Sequence, residues 1–142
     1  VSKSGMVVIC DVSPTNDIHP KDKKPVGVRL ANLALADYYK TYFKEVNGPL
    51  FKGVSIKKKN VVVHFDNAEG LYLTNKNTSL FEIAGEDKIF YTAKVKLKKN
   101  EITISSKRVK APKFVRYAWG NTSVSNLFNK ANLPASSFTT EY

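Results

Sequence analysis

Apolar and polar positions follow two different periods along this chain. From Gly48 onward the period is two, which predicts strands over 52–57, 60–66, 70–74, 79–84, 88–97, 101–106 and 113–119. β-Branched and aromatic residues fill these runs, and Gly, Asn or Lys separate them. "VSIKKKNVVVHF" and "KVKLKKNEITIS" read as hairpins, with Asn60 and Asn100 in or beside the turns. Short strands with regular punctuation predict a β-sandwich or jelly-roll-like domain.

Before Gly48 the pattern changes. "MVVICD" (6–11) is a continuous apolar run, which suits a strand buried on both faces in a parallel sheet. A polar loop follows, and Pro25 opens a helical pattern, since proline is tolerated at a first helical position. Val26, Leu30, Leu33, Ala34 and Tyr38 fall on one side of that helix, and Asn47-Gly48-Pro49 is expected to close it. The predicted fold is therefore mainly β: a short α/β tail of one strand and one helix (1–48), then a β-sandwich (49–142). One strand and one helix cannot bury a core by themselves. Either the helix folds down on the β-domain, or the rest of an α/β domain lies elsewhere. The opening "VSKSGMVVICD" runs straight into the apolar segment, so the start of a longer protein is expected to be missing.

Composition changes this picture little. Apolar residues at 42% suit a packed core, and no apolar stretch is long enough to predict a membrane span. The single cysteine, Cys10, forbids an internal disulfide and reads as a structural thiol. The formal charge of +11 invites a nucleic-acid reading. Against it, 20 of the 23 basic residues are Lys, whereas Arg is the residue suited to bidentate phosphate and guanine recognition. The lysines cluster at 21–24, 57–59 and 96–99, where they read as solvated turns and guards against edge pairing. No nucleic acid is expected as a partner.

Candidate chemistry is sparse. His19, in "PTNDIHPKDKKP", lies in the loop between the apolar run and the helix. In α/β sheets functional groups collect beyond the carboxyl ends of strands. An imidazole there can take a proton from a nucleophile and return it to a leaving group. It needs a carboxylate to fix its tautomer, and Asp17 is close enough in the turn to serve. Without further context, a surface histidine in a polar loop is commonplace. His64, in "VVVHFD", reads as a sheet residue on a solvent-facing or partly covered side. Two isolated histidines and one cysteine make no metal ligand set, and no cofactor is expected. Tyr117 and Trp119, two residues apart on one strand face, either fill the space between sheets or stack on a sugar ring. Asn126 and Asn129 are read as supplying backbone hydrogen bonds in an ordered C-terminal loop.

"NDIHPKDKKPVGVRLANLALADYY", "FEIAGEDKIFYTAKV", "VRYAWGNTSVSNLFNKANLPASSF" and the terminal "FTTEY" span nearly the whole chain. Together they resemble the C-terminal part of bacterial sialate O-acetylesterases, members of the SGNH-type esterase superfamily. The resemblance implies a Ser-His-Asp hydrolase that removes acetyl groups from sialic acid, with His19 as general base and acid and Asp17 orienting it. The wider superfamily often spaces this pair as Asp-x-x-His, a place held here by Asn16, and Asp11 is a second candidate acid. The family's serine nucleophile lies in an N-terminal region. No Gly-Asp-Ser or Gly-Gln-Ser motif occurs in this chain, and Ser13, Ser55 and Ser136 sit in turns or strands. The resemblance thus implies a fragment, inactive alone, whose partners are the missing N-terminal esterase portion and an acetylated sialic acid or related glycan. It also implies a periplasmic or secreted location. A non-catalytic carbohydrate-binding β-sandwich is the alternative.

Overall fold

A computed structural model describes residues 4–12, 17, 19, 21–42, 44–75 and 78–141. Ser13 and Asn16 lie outside the described residues. Among these residues one helix, α1 (Lys24–Asp37), precedes ten strands: β1 (Leu50–Lys57), β2 (Asn60–Asp66), β3 (Tyr72–Leu73), β4 (Phe81–Ala84), β5 (Tyr91–Thr92), β6 (Lys94–Lys98), β7 (Glu101–Ser105), β8 (Phe114–Tyr117), β9 (Leu127–Phe128) and β10 (Phe138–Thr139). They form two four-stranded antiparallel sheets, in the orders β1-β2-β7-β6 and β10-β8-β4-β5, with β3-β9 as a small third ladder.

The predicted β-sandwich is present, and its core follows from alternation. Val61, Val63, Ile102 and Ile104 from the first sheet meet Phe81, Ile83, Val115 and Tyr117 from the second in one buried cluster. Phe138 of β10 belongs to the same cluster and stacks on Phe51 of β1 at 4.1 Å between ring centres, joining the sheets. The two expected hairpins turn at Lys58-Lys59 and Lys99-Asn100, with Lys57 opposite Asn60 and Lys98 opposite Glu101. The predicted strand 88–97 is two strands. It breaks at the buried Ala93, whose N–H donates to the Phe81 carbonyl at 2.9 Å. β5 pairs in one sheet and β6 in the other, so the chain crosses the sandwich there.

Two expectations before Gly48 are corrected. The helix stops at Asp37, not at Asn47-Gly48-Pro49. The Tyr38 and Tyr39 amides both donate to the Ala34 carbonyl, and Lys40 turns into the left-handed region with φ 56°, so the aromatic run 38–42 leaves the helix. The 6–11 run enters no sheet. A strand exists only by virtue of its neighbour, and every strand in the described residues is paired within the sandwich or the β3-β9 ladder.

The N-terminal segment is nevertheless fixed. Ser125 donates its amide to the Cys10 carbonyl at 3.2 Å, and Cys10 Sγ donates to the Ala135 carbonyl at 3.4 Å. Arg29 of α1 holds both oxygens of Asp11 at 2.7 Å and the Val8 carbonyl at 2.8 Å. Downstream of α1, the buried Asn129 amide donates to the Asn47 and Asn67 carbonyls at 2.9 and 3.1 Å. Its oxygen accepts from the Ala131 and Leu133 amides. At Gly48 a Cβ would run into the Pro134 carbonyl, so glycine is required there by space. No helix among the described residues is long and apolar enough to cross a membrane.

Candidate functional site

The loop between the Cys10–Val12 turn and α1 carries Asp17 and His19. His19 donates its backbone N–H to Asp17 Oδ1 at 2.8 Å, and its ring Nδ1 lies 3.0 Å from the same oxygen. The two-residue spacing lets one carboxylate serve both the backbone and the ring, as Asx turns do. These hydrogen bonds, the backbone one first, hold the Asp17 carboxyl below its usual range. With Asp17 ionised, the Nδ1–H tautomer is favoured, which leaves Nε2 as the proton acceptor. Nε2 has no partner among the described residues. The pair is open to solvent: the side chains are 80% exposed for His19 and 42% for Asp17.

Asp11 is committed elsewhere. Arg29 grips it bidentately with both side chains almost covered, and that carboxylate in turn raises the Arg29 pKa. Cys10 is half-buried, and burial pushes its thiol pKa up, which keeps it a thiol rather than a thiolate nucleophile near neutrality.

Tyr117 is corrected as a sugar-contacting residue. It is 0% exposed, and its ring packs on Phe81 at 4.6 Å between centres. Its hydroxyl accepts from the Asn126 and Leu127 amides at 3.1 and 3.0 Å and lies 3.2 Å from Asn126 Oδ1 and 3.0 Å from Ser125 Oγ. Ser125 Oγ passes the chain on to the Ala135 carbonyl at 2.9 Å. Burial raises the Tyr117 pKa, so the phenol stays neutral. This hub fastens the C-terminal loop to β8. Trp119 differs, being 42% exposed. It follows Ala118, whose φ of 48° breaks the strand, so Trp119 does not continue the Tyr117 face.

Alternation alone did not reveal a Ser–His contact in the sandwich. His64 Nε2 lies 2.8 Å from Ser55 Oγ across the β1-β2 ladder. No acid orients the other ring nitrogen among the described residues, and Ser55 sits in a regular strand, so nothing activates this serine. A cleft of about 830 Å³ opens between α1 and the loops after β2 and β9, with Arg29, Asn32, Tyr42, Asn67 and Asn129 in its walls. Neither Asp17 nor His19 lines it.

No protein-family model and no curated protein matches this chain. Among solved structures, it is similar to a carbohydrate acetylesterase from Xanthomonas citri, with 34% sequence identity and a TM-score of 0.85. The match covers 95% of this chain and 32% of that one, so this chain spans about a third of the length of the enzyme it matches.

Proposed function

We propose that this chain is the C-terminal segment of a carbohydrate O-acetylesterase that removes acetyl groups from sialic acid by Ser-His-Asp chemistry. Residues 1–48 would belong to its α/β esterase domain and 49–142 would form an accessory β-sandwich. The observation that carries the reading is the 34% identity with a carbohydrate acetylesterase across 95% of this chain. At 95% of this chain, the match reaches beyond the sandwich into the residues before it.

In this reading Asp17 orients the ring through Nδ1. His19 Nε2 takes the proton of a serine supplied from outside this chain. The serine oxygen attacks the acetyl carbonyl, and His19 returns the proton to the departing sugar oxygen. Water then repeats the sequence on the acetyl-serine, releasing acetate. A positioned base contributes roughly 10²–10⁴ only when nucleophile and substrate are held beside it. The isolated chain is therefore expected to release negligible acetate from an acetylated sialic acid. Robust turnover by the isolated polypeptide would refute the reading. So would an assembled enzyme that keeps its rate after His19→Ala. A periplasmic or secreted location goes with this substrate.

The alternative, a non-catalytic carbohydrate-binding sandwich, would rest on Trp119, the exposed member of the aromatic pair. Glycan affinity that vanishes with Trp119→Ala and ignores His19→Ala would favour it.

A further inference from the structure

We propose that the groove between the edges of the two large sheets, beside the 106–109 turn, binds a carboxylate-bearing sugar. The proposal rests on the proposed function for the ligand being a carbohydrate. It deepens that reading by giving the sandwich an acidic glycan to hold.

The groove encloses about 470 Å³. It lies where the chain crosses from one sheet to the other at Ala93. β5 is the outer strand of one sheet and β6 of the other, so Tyr91 and Thr92 line it from one side and Lys94 from the other. The 106–109 turn brings in Ser106, Lys107 and Arg108. That turn is braced at both ends. It leaves β7 at Ser105, the Val109 amide donates to the Ser106 carbonyl at 3.3 Å, and Val109 is buried in the core. Asp17, His19 and Trp119 do not line the groove.

Its chemistry follows from which charges are already matched. Of the three arginines in the chain, Arg29 grips Asp11, and Arg116 Nε donates to Glu82 at 2.8 Å. Arg108 has no acid partner among the described residues. Its guanidinium lies over the Tyr91 ring, 5.2 Å from the centre. A guanidinium already laid on a ring loses less freedom on meeting a ligand, and its planar fork matches a carboxylate. Lys94 and Lys107 also have no acid partner among the described residues. There too the hydroxyls of Tyr91, Thr92 and Ser106 have no hydrogen-bond partner. Glu82 is the one acid in the walls, and Arg116 holds it. In the turn between β4 and β5, Glu86 pairs with Lys113, and Asp87 accepts the Ile89 amide. One fork, two ammoniums and three hydroxyls around one hollow suit an acidic sugar, with its carboxylate on the cations and its ring hydroxyls on the rest.

Edge protection accounts for Lys94, which sits on an outer strand. It does not account for Lys107 and Arg108, which follow the inner strand β7. Register gathers further cations at this end. Lys57, Asn60, Ser105 and Lys94 form one row across the first sheet, so the lysines at 57–59 end beside the groove. The acids of that sheet, Asp66 and Glu101, lie at its opposite end. A single-stranded nucleic acid is held by bases stacked on free aromatic faces. Here Phe90 already carries the Arg116 guanidinium at 3.9 Å, and Tyr91 carries that of Arg108. The similarity to a carbohydrate acetylesterase favours a sugar.

The test titrates this chain with oligosialic acid and with oligogalacturonate, read by amide chemical shifts and by calorimetry. Methyl-esterified oligogalacturonate is the neutral control, and a DNA duplex is the phosphate control. An acidic glycan is expected to shift the 106–109 amides, and esterification is expected to abolish the effect. The tighter of the two acidic glycans names the sugar. Arg108→Ala should lower the affinity about tenfold or more, and Arg108→Lys, which keeps the charge without the fork, should recover only part of it. Lys98→Ala combined with Lys99→Ala removes two charges at the far end of β6 and should leave the affinity within about twofold. All four side chains are exposed, so parent melting points are expected. If Arg108→Ala fails to fold, Lys107→Ala takes its place with the same expected direction. An equal loss from the Lys98 and Lys99 pair overturns the proposal, because it shows attraction to net charge alone. So do equal binding of the esterified glycan, tighter binding of the duplex in this groove, and absence of binding by both acidic glycans. Failure of the functional reading looks different: groove binding would be present, while acetate release by an assembled enzyme would be absent or unaffected by His19→Ala.

Discussion

Two polar constellations in this chain are built on opposite terms. Around Tyr117 a phenol with no exposure makes four close polar contacts, and each partner is itself paired onward. Around His19 a nearly free ring has one carboxylate contact and nothing on its other nitrogen among the described residues. The first is complete and needs no further molecule. Under the proposed function the second is half of a relay, with a base oriented and nothing to act on. Burial without a partner is costly, so buried groups close their own accounts. An exposed group can stay open because water holds its place until something displaces it.

The largest expected effect separates these roles by activity. In an assembled esterase, His19→Ala should lower turnover by roughly 10²–10⁴-fold. The same change should leave the thermal midpoint of the isolated chain where it was, because the ring is exposed to solvent. Acetate release and a melting curve measured on the same preparations check both halves. A large loss of stability would make His19 a structural residue and remove the contrast.

Tyr117→Phe is the mirror experiment and comes next. It keeps the ring and removes the hydroxyl. The Asn126 and Leu127 amides then lose their acceptor in a buried site. Each unsatisfied group costs about 1–3 kcal/mol, so a loss of about 2–5 kcal/mol in unfolding free energy is expected by denaturant titration. Activity per folded molecule should not change. A loss below about 1 kcal/mol would mean that water enters and replaces the phenol.

Asn129→Ala is expected to cost somewhat less, about 2–3 kcal/mol, since it strands carbonyls and amides at the rim of the cleft where water can reach some of them. It also cuts the tie between Asn47 and the sandwich. Limited proteolysis of the linker between α1 and β1 should therefore quicken before global unfolding does. Unchanged cleavage would show that Gly48 against Pro134 holds the linker without it.

How much of this was readable before the fold was known depends on what each feature needs. The strands of the two large sheets announce themselves, because β1, β2, β4, β7 and β8 alternate against a common core. β9 and β10 do not, since two residues are too few to show a period and their flanks are rich in Asn, Pro and Ser. The break at Ala93 is silent because the alternation continues on both sides while the sheet changes. "MVVICD" reads as a buried strand on grounds of hydrophobicity alone, and only the missing neighbour shows that no strand forms within this chain. The contact of Asp17 with His19 was legible from a two-residue spacing. The fate of Tyr117 was not: alternation placed it on the face it shares with Val115 and left open whether that face looks inward or outward.

The smallest effect concerns the acid beside His19. Its folded pKa is lowered, first by the His19 backbone amide and then by the ring. The sign follows from linkage. A depressed carboxyl binds its proton less readily when folded, so its contribution to stability is present above the ordinary value of 3.8 and is lost as pH falls through the lower folded value. The window is therefore acidic and lies away from neutrality. Because Asp17 is open to solvent, screening keeps the contribution slight. Asp17→Asn should leave melting unchanged at pH 7 within error, and carboxyl NMR of Asp17 should show a midpoint below 3.8. The backbone and ring contacts can then be separated by His19→Ala, which keeps the backbone N–H and removes the ring. If the backbone bond dominates, most of the depression survives that change. If it disappears, the ring is the stronger partner, and the imidazole–carboxylate contact is tighter than an exposed pair should be.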